Sequence, residues 1–408
     1  MVKEPDVGHL PLAGIIVLDV SSFIAAPVAA TVMADYGADV IKVEPPGEGD
    51  PNRHMQRLAS YPKAPAANYP WQMDSRGKRS IVVDLKSDQG REVIMRLVAR
   101  ADVLITNYPL RVRRALKIGY DDVKDVNSRL IYASFTGYGE HGPDADQVGF
   151  DSTAYFARSG LMDSSRYEGQ PPAAVMPAQG DRASGVALFG AIMLALFERA
   201  RTGKGTLVSS SLLANGIWAN GVTAQAALVN AFLPLRPPPD RPRNAVTNVY
   251  RCSDDRWLML TMVQEDKGWA PFCRAIGRPE LVADARFATS ASRRQNATPL
   301  AEIIGQWFAG RTSDDAIAVL KPIGVPYSII GRASDLRDDP QARASGAIVE
   351  TALPDMPLTI AAPFRVGSHV PQHHRGAPAL GAQTDQILAE AGYGAAQIAA
   401  LRSAGAIA

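Results

Sequence analysis

An α/β fold built on a doubly wound parallel sheet is the architecture this sequence predicts, on three observations. Over roughly the first third of the chain, short apolar runs alternate with stretches of helical periodicity. The runs are continuous rather than alternating, as in strands buried on both faces. The composition, 46 % hydrophobic and 21 % charged, belongs to a chain that folds around a core. At 408 residues, two or three structural units are expected, since domains run on the order of 100–150 residues each.

Taken in order, Ile15–Val20 (IIVLDV) reads as the first strand. A helix follows from about Pro27 to Tyr36, and Gly37 leads to a second strand, Asp39–Glu44 (DVIKVE). Further strands are read at Ser80–Leu85, Asp102–Thr106 and Leu130–Phe135. Asp88 to Arg100 is helical, with Val93, Ile94, Leu97 and Val98 on one face. Arg182–Arg199 is apolar nearly all the way round and is expected to be a fully buried central helix, closed by the loop Arg201–Gly205. Leu233–Pro242 (LPLRPPPDRP) is the clearest breaker and marks a crossing between lobes. Beyond it, strand character surrounds the turn Ser253-Asp254-Asp255, and helices fill roughly Lys267 to Leu320. Strand-like runs return at Val325–Ile330 and Leu358–Phe364, and two short helices end the chain.

Composition excludes several classes of function. With 43 basic against 41 acidic residues the net charge is +2, too balanced for a nucleic-acid or anionic-membrane surface. Cys252 and Cys273 are too few for a disulfide scaffold or a thiolate zinc site, so no metal is expected. The start of the chain lacks an apolar signal core, and no stretch of about 20 apolar residues reads as a membrane span. A cytoplasmic protein is expected. The first strand-to-helix turn, Ser21–Pro27 (SSFIAAP), lacks the glycine-rich dinucleotide fingerprint, and Gly47-Glu48-Gly49 lies in the wrong context for it. Nicotinamide and flavin cofactors are therefore not expected either.

Several segments, in order along nearly the whole chain, resemble the family III coenzyme A transferases. They are Gly14–Pro27, Gly37–Glu44 with Gly47–Pro51 (GEGDP), Gly77–Lys86, Ala101–Tyr108, Tyr132–Gly139, Gly180–Gly185 (GDRASG) and Ala379–Leu388 (ALGAQTDQIL). The resemblance implies a Rossmann-like large lobe made from both chain ends (1–235 and 326–408), a smaller α+β lobe (236–325), and two chains interlocked as rings in a homodimer. It implies an enzyme that passes CoA from an acyl-CoA to a small carboxylic acid. The family also contains 2-methylacyl-CoA racemases. A racemase and a non-catalytic CoA-binding subunit are the alternatives.

Asp181, in Gly180-Asp181-Arg182, stands where family members hold a nucleophilic carboxylate. As a residue alone it reads first as a helix N-cap, and at that place the helix dipole would also stabilise its anion. By family position Phe23, Ile24, Val83, Asp84, Leu85, Lys86, Asn107 and Tyr108 should line the CoA site. Lys86 is read toward a phosphate and Tyr108 toward pantetheine or adenine. Asp151 matches an acidic residue near the thioester, and alone reads as another N-cap. Phe150 precedes it, where the racemase branch has a histidine. That branch's small-lobe glutamate falls on Gln264, one residue before Glu265. Some family positions are changed: Ile24 replaces a glutamine, and Pro45, Ala115 and Val148 replace basic residues. Arg113 and Arg114, beside Arg111, are candidates to restore that charge; as residues they read as a solvated helix face. His141 and the His373-His374-Arg375 group read as loop residues.

Overall fold

Six parallel strands in the order β3-β2-β1-β4-β5-β6 form the central sheet. They are β1 (Ile16–Asp19), β2 (Asp39–Glu44), β3 (Arg79–Val82), β4 (Val103–Thr106), β5 (Ile131–Thr136) and β6 (Leu207–Ser211). This is the Rossmann order, in which the chain reverses direction of travel between β1 and β4. The computed structural model describes residues 10–64, 66–173 and 177–408. The helices of this unit up to residue 228 are α1 (Ala25–Asp35), α2 (Tyr69–Ser75), α3 (Asp88–Val98), α4 (Leu110–Leu116), α5 (Tyr120–Val123), α6 (Leu161–Ser165), α7 (Gln179–Thr202), α8 (Leu212–Ala219) and α9 (Gly221–Leu228). β6 was not legible in advance, because its sequence LVSSS is no apolar run; it lies at the sheet edge, where half its residues remain open.

Neighbouring strand residues point to opposite faces and build two cores. Val17, Val103, Ile105 and Ile131 pack with α1 and α7 on one side. Leu18, Ile41, Leu104 and Tyr132 pack on the other with α3 and the two closing helices, Thr384–Glu390 and Ala395–Ser403. Each such fully buried aliphatic side chain contributes about 2 kcal/mol.

The chain end returns to the edge strand β3. Gln383 Oε1 accepts from Ser80 N at 2.8 Å, and Asp84 N donates to Ala406 O at 2.9 Å. Covering the edge in this way satisfies backbone groups that would otherwise template pairing with another chain.

The chain divides into two compact units: one of 1–164, 173–232 and 341–408, the other of 165–172 and 233–340. In the second, β7 (Thr247–Arg251), β8 (Trp257–Thr261) and β9 (Tyr327–Ile329) form an antiparallel sheet. The helices α10 (Glu265–Ala275), α11 (Ser290–Gln295), α12 (Ala297–Ala309) and α13 (Ser313–Leu320) accompany it, and Trp269, Phe272, Phe287 and Phe308 fill the core. Return to the first unit falls at 341 rather than at 326, because β9 pairs with β8, Tyr327 opposite Leu260.

α7 departs from its expectation of complete burial. One face, through Gly185, Leu188, Ile192 and Ala195, is covered, whereas Leu194 is 73 % and Phe197 67 % exposed. The all-round apolar pattern reads alike for a helix enclosed by one chain and a helix with an open apolar face. By length and composition α7 is long and apolar enough to cross a membrane; here its covered face packs on α1 and the sheet.

Candidate active site

Ligands of open α/β sheets bind beyond the carboxyl ends of the strands, at the switch point. In this sheet the switch lies between β1 and β4, and the two turns leaving those strands are tied together. Ser22 N donates to Asn107 Oδ1 at 2.8 Å and Asn107 Nδ2 donates to Ser22 O at 2.7 Å. Above them lies a cavity of about 170 Å³ lined by Phe23, Ile24, Asn107, Phe150, Asp181 and Leu212 among others. The Phe23 and Phe150 rings meet edge to face at 5.9 Å.

Two glycines bring Asp181 to this cavity. A Cβ on Gly180 would stand 2.6 Å from the Tyr155 ring, and one on Gly185 would stand 2.6 Å from Ala25 O at the start of α1. The absence of both side chains lets the first turn of α7 settle against Tyr155 and the start of α1. Asp181 is not the cap of α7. The helix begins at Gln179 after Ala178 in a left-handed conformation, and Asp181 is its third residue with no capping hydrogen bond.

Asp151, 5 % exposed, begins a π-helical turn over Asp151–Ala157. Burial raises its pKa, against the neighbouring backbone amides of Ser152, Gly180 and Ala178, which pull it down; its Oδ2 is buried without a hydrogen-bond partner among the described residues. The pKa of Asp181 is pushed up to about 7, chiefly by burial, then by the negative charges of Asp151 and Asp74, with Arg182 pulling the other way. The anion-stabilising dipole anticipated at the helix start is thus outweighed by desolvation and like charge. Arg182 itself is engaged, with Nη2 at 3.1 and 3.0 Å from the two oxygens of buried Asp74.

The structure gathers Phe23, Ile24, Asn107, Phe150 and Asp181 around one cavity, with Asp151 behind it. The other anticipated residues lie elsewhere. Val83 and Leu85 turn into the core under β3, while Asp84 forms a turn in which its Oδ1 accepts from Lys86 N at 3.0 Å. Lys86 is exposed, and Tyr108 packs against the core, where burial pushes its phenol up to about 12. Arg113 is a correction. It is 3 % exposed and turned inward, donating to Tyr108 O, Ser134 Oγ, Phe135 O and Glu140 Oε1, so its donors are consumed inside the protein. Arg114 does lie on the solvated face, paired with Asp146 at 3.1 Å.

Sequence reasoning missed Ser22, Gly137, Gly149 and Leu212 as lining residues. The glycine pair in TGYG and VGF was the available signal. It also missed His373, which is buried with Nδ1 3.1 Å from Asp35 rather than held in an open loop. In the second unit, Gln264 precedes α10, and Glu265 is occupied by Asn244, Arg293 and Arg294.

A Rossmann-ordered sheet with a desolvated carboxyl at its switch-point cavity defines an α/β enzyme site. Residues 12–384 match CoA-transferase family III, and the chain belongs to that family. It is 32 % identical over 384 residues to the (R)-2-hydroxy-4-methylpentanoate CoA-transferase of Clostridioides difficile, covering 94 % of this chain and 96 % of that one. It is 30 % identical to the cinnamoyl-CoA:phenyllactate CoA-transferase of Clostridium sporogenes, covering 93 % of each. The crystal structure of a CAIB/BAIF family protein from Brucella suis superimposes with a TM-score of 0.83 at 30 % identity, covering 94 % of this chain and all of that one (100 %). The protein is thus a CoA-transferase, moving CoA between an acyl-CoA and a carboxylic acid.

Proposed function

We propose that CoA transfer runs through a covalent intermediate on Asp181. An ionised Asp181 oxygen attacks the thioester carbonyl of the donor; the C–S bond breaks, leaving an aspartyl–acyl anhydride and the CoA thiolate. The thiolate attacks the aspartyl carbonyl and expels the donor acid as its carboxylate, giving an aspartyl–CoA thioester. The acceptor carboxylate then runs the same two steps in reverse, which releases its own CoA thioester and restores Asp181. Splitting one exchange into displacements at a single carboxylate is the gain of nucleophilic catalysis. No proton changes hands overall.

The observation that carries this reading is the placement of Asp181 on the cavity at the switch point, beside the first turn of α1. The walls, Phe23, Ile24, Phe150 and Leu212, are apolar and support a branched or aromatic acyl group. The names of the two relatives, which act on a branched hydroxy acid and on phenyl-bearing acids, agree with that class. The test is incubation with isovaleryl-CoA or cinnamoyl-CoA alone, followed by peptide mass spectrometry. CoA should appear on the Asp181 peptide and be removed by hydroxylamine, and Asp181→Asn should neither accept CoA nor turn over. Wild-type-like turnover in that variant overturns the intermediate.

The same reading includes a homodimer. Besides Leu194 and Phe197 of α7, Trp218 in α8 (86 %), Val222 in α9 (90 %) and Phe232 just beyond it (88 %) are exposed apolar side chains. A second copy of this chain is the covering that family resemblance supplies for them.

A further inference from the structure

Phe23 stands in a conformation its side chain disfavours, with φ at +62°. For a non-glycine residue the left-handed region costs about 1–2 kcal/mol, so neighbouring structure must hold it there. What holds it is a set of side chains from other parts of the sheet. Phe23 N donates to Asp50 Oδ1 at 3.1 Å, and Asn52 Nδ2 donates to Phe23 O at 3.1 Å. Asp50 Oδ1 also accepts from Asn52 N at 2.8 Å, which fixes the carboxylate at the start of its own turn. The second oxygen of Asp50 lies 2.7 Å from Lys42 Nζ, an ion pair with both side chains buried. Lys42 donates in addition to Ser21 O and lies 3.5 Å from Asp19. With Asn107 bonded to both backbone groups of Ser22, three successive residues of the turn are gripped by side chains.

The ring of Phe23 is the cavity wall facing Phe150. Asp50 does not line the cavity. Its influence on a bound acyl group therefore has to pass through the backbone of Phe23, whose Cα–Cβ direction is set by the strained φ. We propose that Asp50, anchored by Lys42, is a positioning residue that fixes the Phe23 ring and thereby sets which acyl groups the cavity above Asp181 accepts. The inference rests on the reading of this cavity as the acyl site.

The experiment compares wild type, Asp50→Asn, Phe23→Gly and the double variant, with acetyl-CoA and isovaleryl-CoA as donors. Glycine accepts the left-handed conformation without strain and removes the ring. Asp50→Asn should change the ratio of kcat/KM between the two donors at least tenfold in the wild-type background, mostly through KM. It should leave the ratio unchanged in the Phe23→Gly background. Equal loss for both donors, or the same ratio change without the ring, overturns the proposal. Hydrogen–deuterium exchange of the peptide around Phe23 in the free protein gives a readout apart from activity. Exchange should rise in Asp50→Asn, and unchanged exchange overturns the clamp. Where Asp50→Asn does not fold, Asn52→Ala removes the bond to Phe23 O, with the longer one to Asp74 Oδ2 at 3.4 Å, and is measured the same way. A wild type that transfers CoA from neither donor would defeat the acyl-site reading, while the exchange result would still decide the clamp.

Discussion

The negative charge of Asp151 raises the pKa of Asp181 at the start of α7. That helix begins after Ala178 with no side-chain capping bond, so the capping role a sequence reader assigns to Asp181 is not taken. Asp181 is left third in the helix, with no capping bond, desolvated and beside a like charge. Of capping and chemistry, the two readings that compete for Asp181 in the sequence, the fold removes the first.

The proximity of the two carboxylates has a pH consequence. The nucleophile must be ionised, and the pKa of Asp181 is pushed up to about 7. Transfer measured under kcat/KM conditions should rise with pH through an inflection near 7. Asp151→Asn removes one of the two negative charges that raise it and should move the inflection to lower pH. An unmoved inflection in that variant would contradict the assigned cause.

Stability should show the same coupling with opposite sign. The folded-state value lies above the ordinary aspartate value of 3.8, so the Asp181 carboxyl favours folding when protonated and opposes it once ionised. Asp181→Asn should therefore be more stable than wild type at pH 8, by at most about 4 kcal/mol, and melt higher. The difference should shrink as pH falls through 7 and vanish near pH 4. Thermal melts across that range check it; a variant less stable than wild type at pH 8 fails it.

Arg113 and Lys86 separate structural from ligand-facing charge. Removing Arg113 strands Glu140 and two backbone carbonyls, so Arg113→Met should lower stability in urea by about 3–5 kcal/mol. Lys86 is exposed and pairs with no acidic side chain among the described residues, and Lys86→Ala should change stability by less than about 0.5 kcal/mol. A loss of CoA affinity by calorimetry with unchanged stability is then expected from Lys86→Ala and not from Arg113→Met.

Racemisation should be absent. Racemisation at an α-carbon needs one group to remove a proton and another to deliver one from the opposite face, and the ring of Phe150 at the cavity can carry none. Glu265 is already bound by Asn244, Arg293 and Arg294. A 2-methylacyl-CoA incubated with the protein in deuterium oxide should gain no enzyme-dependent deuterium at the α-carbon. Rapid incorporation, without CoA transfer to any acid in a broad panel, would reverse that expectation.

Local pattern determined a good deal of this protein. Continuous apolar runs placed five of the six sheet strands, because a strand buried on both faces needs no partner's identity to be read. The resemblance carried by Gly180–Gly185, not local pattern, marked the place of Asp181, while the missing glycine fingerprint after β1 was visible in the letters themselves. Tertiary structure alone decided which way side chains face and what meets them. Arg113 and Arg114 are adjacent on one helix, yet the first is consumed inside the protein and the second paired in solvent. Phe23 owes its strained backbone to Asp50, 27 residues away, and β3 owes its covered edge to Gln383, 303 residues from Ser80. Periodicity records only the environment an element prefers, whereas a hydrogen bond between distant residues exists only once packing has brought both of its atoms to the same place.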